Sequence, residues 1–287
     1  MKKYLSLVKF SHTIFALPFA MVGFLYGLIC SHSVFSAQLL FMVIGCMVTA
    51  RNAAMAFNRY LDRDIDALNP RTSSREIPSG IISSKNAVAF IIINCLLFCS
   101  FTYFINGLCF ALSPVALLIT LGYSYTKRFT WLCHFVLGLG LSLAPVGAFM
   151  AVTNSFQSNL YYLAGAILLW VAGFDIIYAL QDEEFDKSVK LQSVPSLLGL
   201  KKAILISLTL HIICIVLLYL FTQSVIWSVD GFGIIYWIGY ALFVIFVLYQ
   251  HYLVNRNGLS IINASFFLTN GFGSLIYGTC FIIDYLI

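Results

Sequence analysis

Nine long apolar runs with polar connections between them fill almost the whole sequence, at about residues 14–30, 37–57, 87–105, 108–122, 134–152, 160–180, 203–221, 233–250 and 261–283. A helix needs roughly 20 apolar residues to cross the hydrocarbon of a bilayer, and all of these runs except the short fourth approach that length. Inside hydrocarbon every backbone N–H and C=O must be satisfied by the protein, which leaves helices and closed barrels as spanning structures. Barrel strands would alternate apolar and polar residues, and these runs do not. The sequence therefore predicts an all-α membrane protein, with nine transmembrane helices in one bundle and a single integral-membrane domain over residues 1–287. Composition agrees: 61% of the residues are hydrophobic and 9% charged, against about 25% charged in an average soluble domain.

The basic residues set an orientation. Lys2, Lys3 and Lys9 precede the first run; Arg59, Arg63, Arg71, Arg75 and Lys85 lie at or after the end of the second; Lys127 and Arg128 follow the fourth. Lys187, Lys190, Lys201 and Lys202 follow the sixth, and Arg256 follows the eighth. The connections on the opposite side carry no Lys or Arg, and Arg51 sits inside the second run. Because Lys and Arg collect in cytoplasmic loops, this partition places the N-terminus and all the basic connections in the cytoplasm, as in a bacterial inner-membrane protein. The net charge of +5 is spread between apolar runs, so it forms no patch for nucleic acid. The eight cysteines fall almost entirely within apolar runs without paired metal-type spacing, and read as small buried hydrophobes.

Acidic residues are few and clustered. Asn58, Asp62 and Asp66 recur every four residues at the end of the second run, and Asp182 and Asp186 repeat the spacing after the sixth. Four residues is about one helical turn, so each set shares a face, with Asp64 on the opposite side. The two copies lie about 120 residues apart in similar surroundings, which predicts two four-helix pseudo-repeats plus a ninth helix. Carboxylates at the edge of hydrocarbon are costly and usually face a cavity or a partner. Taken singly, each pair also fits a solvated helix end neutralised by Arg59 or Arg63. Four converging carboxylates instead require cations. Mg²⁺ suits them, as a hard ion that keeps waters and phosphate oxygens among its ligands. Such a site would hold a diphosphate through bridging metal, with Arg71, Arg75, Lys127 and Arg128 available for its remaining oxygens.

The motifs resemble those of the UbiA family of intramembrane aromatic prenyltransferases. The resemblance rests on Asn58-x-x-x-Asp62-x-x-x-Asp66 with Asn69-Pro70-Arg71-Thr72 and Ile77-Pro78-Ser79-Gly80. It rests also on Asp175-x-x-Tyr178-Ala179-Leu180-Gln181-Asp182-x-x-x-Asp186 with Lys190 and Ser193, and on Tyr123-Ser124-Tyr125-Thr126-Lys127-Arg128. It runs in order along nearly the whole chain. It implies that Asn58, Asp62, Asp66, Asp182 and Asp186 hold Mg²⁺ and that the four aspartates are catalytic. It further implies that Lys127, Tyr123, Arg63, Arg71 and Arg128 contact the diphosphate, and that Asp175 and Tyr178 orient the acceptor. The implied partners are a polyprenyl diphosphate, a small aromatic acceptor (4-hydroxybenzoate in the nearest branch of the family) and the lipid bilayer. The implied reaction is alkylation of a ring carbon in quinone biosynthesis.

Two other readings fit parts of the pattern. A naphthoate acceptor of the menaquinone pathway would use the same aspartates. A transporter would also be a repeated bundle with intramembrane acids, but carriers place such charges near the bilayer midplane, whereas these lie at one face.

Overall fold

Helices account for nearly all of the structure, a computed structural model that describes residues 2–8, 16–226, 233–262 and 266–287. Lys9, the first residues of the 14–30 run and residues 263–265 of the last run lie outside these. In chain order the helices are α1 (Lys2–Leu7), α2 (Leu17–Ser31), α3 (Ala37–Leu61), α4 (Arg63–Leu68), α5 (Ser84–Ile105) and α6 (Gly107–Thr126). There follow α7 (Cys133–Thr153), α8 (Leu160–Ala179), α9 (Glu183–Ser188), α10 (Val194–Ile226), α11 (Ile234–Asn257) and α12 (Phe272–Leu286), the last entered through a π-helical turn, Phe266–Gly271. There is no strand among the described residues.

Seven of these are long and apolar enough to cross a membrane among the described residues: α3, α5, α6, α7, α8 with its continuation to Ser188, α10, and α11 with its continuation to Ile261. α2 and α12 are apolar but have only 15 residues each. Large apolar side chains such as Leu96, Phe104, Leu118 and Leu205 are more than half exposed on the outside of the bundle, as lipid-facing surfaces require. The chain is an integral membrane protein.

Local chemistry explains where the helices start. Ser36, Ser83 and Asn106 each accept a hydrogen bond from the backbone N–H three residues on (3.2, 3.3 and 2.8 Å), satisfying donors that the first turn of α3, α5 and α6 leaves free. Pro18 stands in the first turn of α2, where a missing N–H costs nothing. α10 begins well before the expected apolar run and breaks at Gly199 (φ 75°), a left-handed backbone that favours glycine.

α3 packs on α5 and α8 on α10, while α2 lies against α7. α12 pairs with α11 and touches α2. Close approach rests on small residues: a Cβ on Gly23 would stand 2.1 Å from the Pro145 carbonyl oxygen, joining α2 to α7. Likewise a Cβ on Gly138 would stand 2.3 Å from the Leu168 carbonyl oxygen, joining α7 to α8. Such contacts hold helices together in lipid, where apolar burial gives little drive. Phe19, Trp170, Phe243 and Tyr277 interlock at the centre of the core with ring centroids 5.2–6.2 Å apart.

The two aspartate stretches share a backbone device. α3 leaves helical geometry at Asp62 (φ −89°, ψ 4°) and resumes as the six-residue α4, which carries Asp66. α8 passes through a tight turn to Asp182 (φ −108°, ψ 7°) and resumes as the six-residue α9, which carries Asp186. The sequence spacing predicts one continuous face; the structure interrupts each helix at the first aspartate instead. The Asp66 N–H still donates to the Asp62 carbonyl (2.7 Å), so the offset of one turn survives the bend.

Candidate active site

Asn58 and Asp62 end α3, Asp66 lies in α4, and Asp182 and Asp186 lie at either end of the turn into α9. All five line one cavity of about 660 Å³. Asp62 and Asp66 are buried, at 2% and 5% exposure, whereas the Asp64 side chain is 82% exposed. The one-face reading of the first stretch therefore holds for burial even though the helix bends.

Three of these carboxylates are held by basic side chains. Asp62 accepts from Lys127 Nζ (2.6 Å), an Arg128 terminal nitrogen (2.9 Å) and Asn58 Nδ2 (3.3 Å). Both Asp66 oxygens accept from one Arg75 nitrogen (2.7 and 2.8 Å). Asp182 takes a two-pronged contact from Arg71, through Nε at 2.9 Å and through a terminal nitrogen, and a further bond from Asn69 Nδ2 (3.2 Å). Such forked, charge-assisted contacts are the strong ones. Burial works against the charge on Arg71, but its bonds to Asp182 and Tyr178 outweigh that and raise its pKa above the usual arginine range. The second aspartate of the second stretch is held differently: Ser193 Oγ donates to Asp186 (3.3 Å).

The loop Asn69-Pro70-Arg71-Thr72 thus belongs to both stretches. It follows α4, and Asn69 turns it by accepting from the Arg71 N–H (2.9 Å). Thr72 ties it back to the Asp66 carbonyl (3.1 Å). From there Asn69 and Arg71 reach across to Asp182, more than 100 residues away in sequence.

The remaining expected residues take distinct places. Tyr123 and Lys127 line the cavity one turn apart on α6, and Tyr178 lines it beside Arg71, whose guanidinium lies 5.7 Å from the ring centroid. Asp175 faces the cavity from α8 and bonds His134 Nδ1 (2.7 Å). Because His134 Nε2 accepts from the Val194 N–H (3.3 Å), its proton sits on Nδ1 and is donated to Asp175. Arg63 does not line the cavity. It donates to the Tyr60 carbonyl (2.8 Å), covers the Tyr60 ring and stands 3.5 Å from Asp64. Arg128 reaches the site through Asp62 without lining the cavity.

Sequence reading did not place four residues that the cavity wall or its support contains: Arg51, Arg59, Asn69 and His134. Asn69 was visible in the motif but not its reach to Asp182. His134 has no signal of its own, since its partner lies 41 residues away.

Away from the carboxylates the cavity becomes apolar. It runs between α3, α6 and α7 past Met47, Leu112, Ile119, Leu141 and Ala144 to Met150, Ala151 and Phe156 at the opposite end of the bundle. Along α6 the lining extends from Cys109 to Lys127, about 27 Å at 1.5 Å per residue.

Among the described residues no three His, Cys, Asp or Glu side chains are gathered closely enough to cage a metal ion. The aspartates at the rim of the cavity nevertheless offer hard oxygens in two pairs, which fits Mg²⁺ held by one or two carboxylates with waters and phosphate oxygens completing its shell.

Comparison with known proteins gives the same reading. The model of the UbiA prenyltransferase family matches residues 16–271. The chain is similar to a 4-hydroxybenzoate octaprenyltransferase of Aliivibrio fischeri (strain MJ11), with 32% identity over 83% of this chain and 81% of the relative. It is 31% identical to one from Vesicomyosocius okutanii subsp. Calyptogena okutanii (strain HA), over 76% of this chain and 78% of the relative. Its fold is similar to that of a UbiA homolog from Aeropyrum pernix K1 (TM-score 0.84, 32% identity, 96% of this chain and 98% of that one). It is similar also to a UbiA homolog from Archaeoglobus fulgidus bound to GPP and Mg²⁺ (TM-score 0.76, 20% identity, 99% and 100%). With motifs, cavity and fold all in agreement, the chain belongs to the UbiA prenyltransferase family and is a prenyltransferase.

Proposed function

We propose that this enzyme transfers a polyprenyl group from polyprenyl diphosphate to a ring carbon of 4-hydroxybenzoate, in quinone biosynthesis, with Mg²⁺ as cofactor. The observation that carries this is the single cavity, whose rim is ringed by paired carboxylates and basic side chains and whose interior is apolar. An allylic diphosphate has that same division between a multiply charged anionic head and a hydrocarbon tail. The names of the curated relatives support the acceptor.

When bound, Mg²⁺ supplies Lewis-acid neutralisation of the diphosphate oxygens. Asn58, Asp62, Asp66, Asp182 and Asp186 are the residues that would hold it. Lys127, Arg71 and Arg75 pair with these carboxylates and are the cations that would turn to the phosphate oxygens of a bound donor. Their positive charge stabilises the charge that grows on the leaving diphosphate as the allylic C–O bond breaks. The carbocation alkylates a ring carbon, and the ring proton leaves. Asp175, fixed by His134, and Tyr178 orient the acceptor. Arg51 projects from α3 into the cavity about two turns beyond Asn58 and bonds the Val8 carbonyl (3.0 Å); a cation there suits an acceptor that carries a carboxylate. The tail lies in the apolar stretch, and its remainder passes into lipid.

Purified enzyme given radiolabelled polyprenyl diphosphate and a panel of acceptors tests the assignment. The expected result is prenylated 4-hydroxybenzoate; product from a naphthoate alone would move the enzyme to the menaquinone pathway, and no product from any aromatic acceptor would remove the reading.

The same proposal takes residues 1–287 as one unit of nine spans, with α2 and α12 crossing alongside the seven longer helices. It sets the N-terminus and both aspartate stretches in the cytoplasm. Reporter tags near Asp66 and at Ile287 should then report opposite sides, and a common side would exclude nine spans.

A further inference from the structure

Five Lys and Arg side chains line the cavity among the described residues, and four of them are engaged: Arg51 with Val8, Arg71 with Asp182, Arg75 with Asp66 and Lys127 with Asp62. The fifth is Arg59. It is 4% exposed, and its Nε is buried without a hydrogen-bond acceptor. It forms no ion pair with any described residue. Its ionisable neighbours include Asp66, Glu76, Tyr123 and Arg75. Neither carboxylate among them pairs with it: both Asp66 oxygens accept from Arg75, and Glu76 accepts from Ser6.

A guanidinium carries five donors and stays charged. Burying one without acceptors is costly, and a Met would fill much of the space without that cost. Packing therefore does not account for Arg59, whereas an anion brought into the cavity would. Its position says which anion. Arg59 and Asp62 stand at i and i+3 at the end of α3, so Arg59 shares the face of the first aspartate, and both line the cavity with Asp66. Asp175, the acceptor-side carboxylate, is on α8, and Arg51 lies about two turns further into the membrane.

We infer that Arg59 binds the diphosphate of the prenyl donor directly, through its fork of N–H groups to the phosphate oxygens that metal leaves uncovered. The inference rests on the prenyltransferase reading above and assigns to its donor site a residue at one of the unspecified positions of the first aspartate motif. Planar, two-pronged phosphate recognition is what distinguishes Arg from Lys.

The test is binding of inorganic pyrophosphate with Mg²⁺ to purified protein, measured by calorimetry, with donor and acceptor kinetics alongside. Loss of one charge-assisted contact weakens binding by about ten- to a hundredfold. Arg59→Gln should therefore bind Mg-pyrophosphate that much more weakly, and Arg59→Lys should fall between it and the wild type. The apparent constant for the aromatic acceptor at saturating donor should not move in either variant. Wild-type affinity in Arg59→Gln overturns the inference, as does a shift confined to the acceptor constant. If Arg59→Gln does not yield folded protein, Arg59→Lys decides: unchanged pyrophosphate affinity overturns the inference. A wild-type enzyme that binds no pyrophosphate would overturn the donor-site reading and this inference together, which separates that failure from the failure of Arg59 alone.

Discussion

Asp62→Asn lowers turnover by roughly two to four orders of magnitude, while Asp64→Ala leaves it within about fivefold of wild type. The two aspartates are two residues apart, yet their surroundings are opposite. Asp62 is buried and receives Lys127, Arg128 and Asn58. Asp64 extends into solvent with Arg63 as its ion-pair partner at 3.5 Å. Removing the charge of Asp62 takes a ligand from the proposed metal and leaves Lys127 and Arg128 facing one another without their shared carboxylate. Asp182→Asn should behave like Asp62→Asn, since Asp182 occupies the corresponding bend and holds Arg71. Asn keeps the shape, so insertion and elution of the purified protein should be unchanged. Steady-state turnover at saturating donor is the measurement. Equal losses at Asp62 and Asp64, or near-normal turnover in Asp62→Asn, would refute the placement of the site.

The second large effect is metal removal. Chelation should take turnover to background, and added Mg²⁺ or Mn²⁺ should restore it, because without metal the same basic side chains would have to neutralise both the aspartates and the diphosphate. The fold should not respond. Asp62, Asp66 and Asp182 each have an organic cation in place, from Lys127 and Arg128, Arg75 and Arg71 respectively, so the carboxylates remain neutralised when metal is absent. Circular dichroism and size-exclusion elution should be the same with and without chelator. Full turnover in chelator would rule out the metal-dependent mechanism, and unfolding on chelation would show that the ion pairs do not replace the metal.

These outcomes depend on features of unequal visibility in the sequence. The apolar runs and their caps are local: a window of about 20 residues contains the information for a helix that must satisfy its own backbone in lipid. Apart from the early start of α10 and the late start of α12, the helices accordingly lie where the runs predict, and Ser36, Ser83 and Asn106 cap three of them. The repeated spacing of the aspartates is local as well, and so is the exposure of Asp64 on the far face. The sequence alone therefore determined the membrane class, the all-helical architecture, the family and the paired aspartates at the cavity.

Partner choice was decided only by the tertiary structure. Asp62 meets Arg128 across 66 residues, Asp182 meets Arg71 across 111, and His134 meets Asp175 across 41. Each pairing depends on which helices pack together and on where the chain bends. The bends at Asp62 and Asp182 displace the second aspartate of each pair from the ideal helical face. They bring the loop after α4 over the second stretch, so that Arg71 reaches Asp182 while Arg63, eight residues earlier, turns outward to Tyr60 and Asp64. In a linear reading both arginines carry the same charge close to the first aspartate pair. A guanidinium contact holds only over about 3 Å, and distances on that scale between remote segments are set by packing, which is why the helices could be read from the sequence and the ion pairs could not.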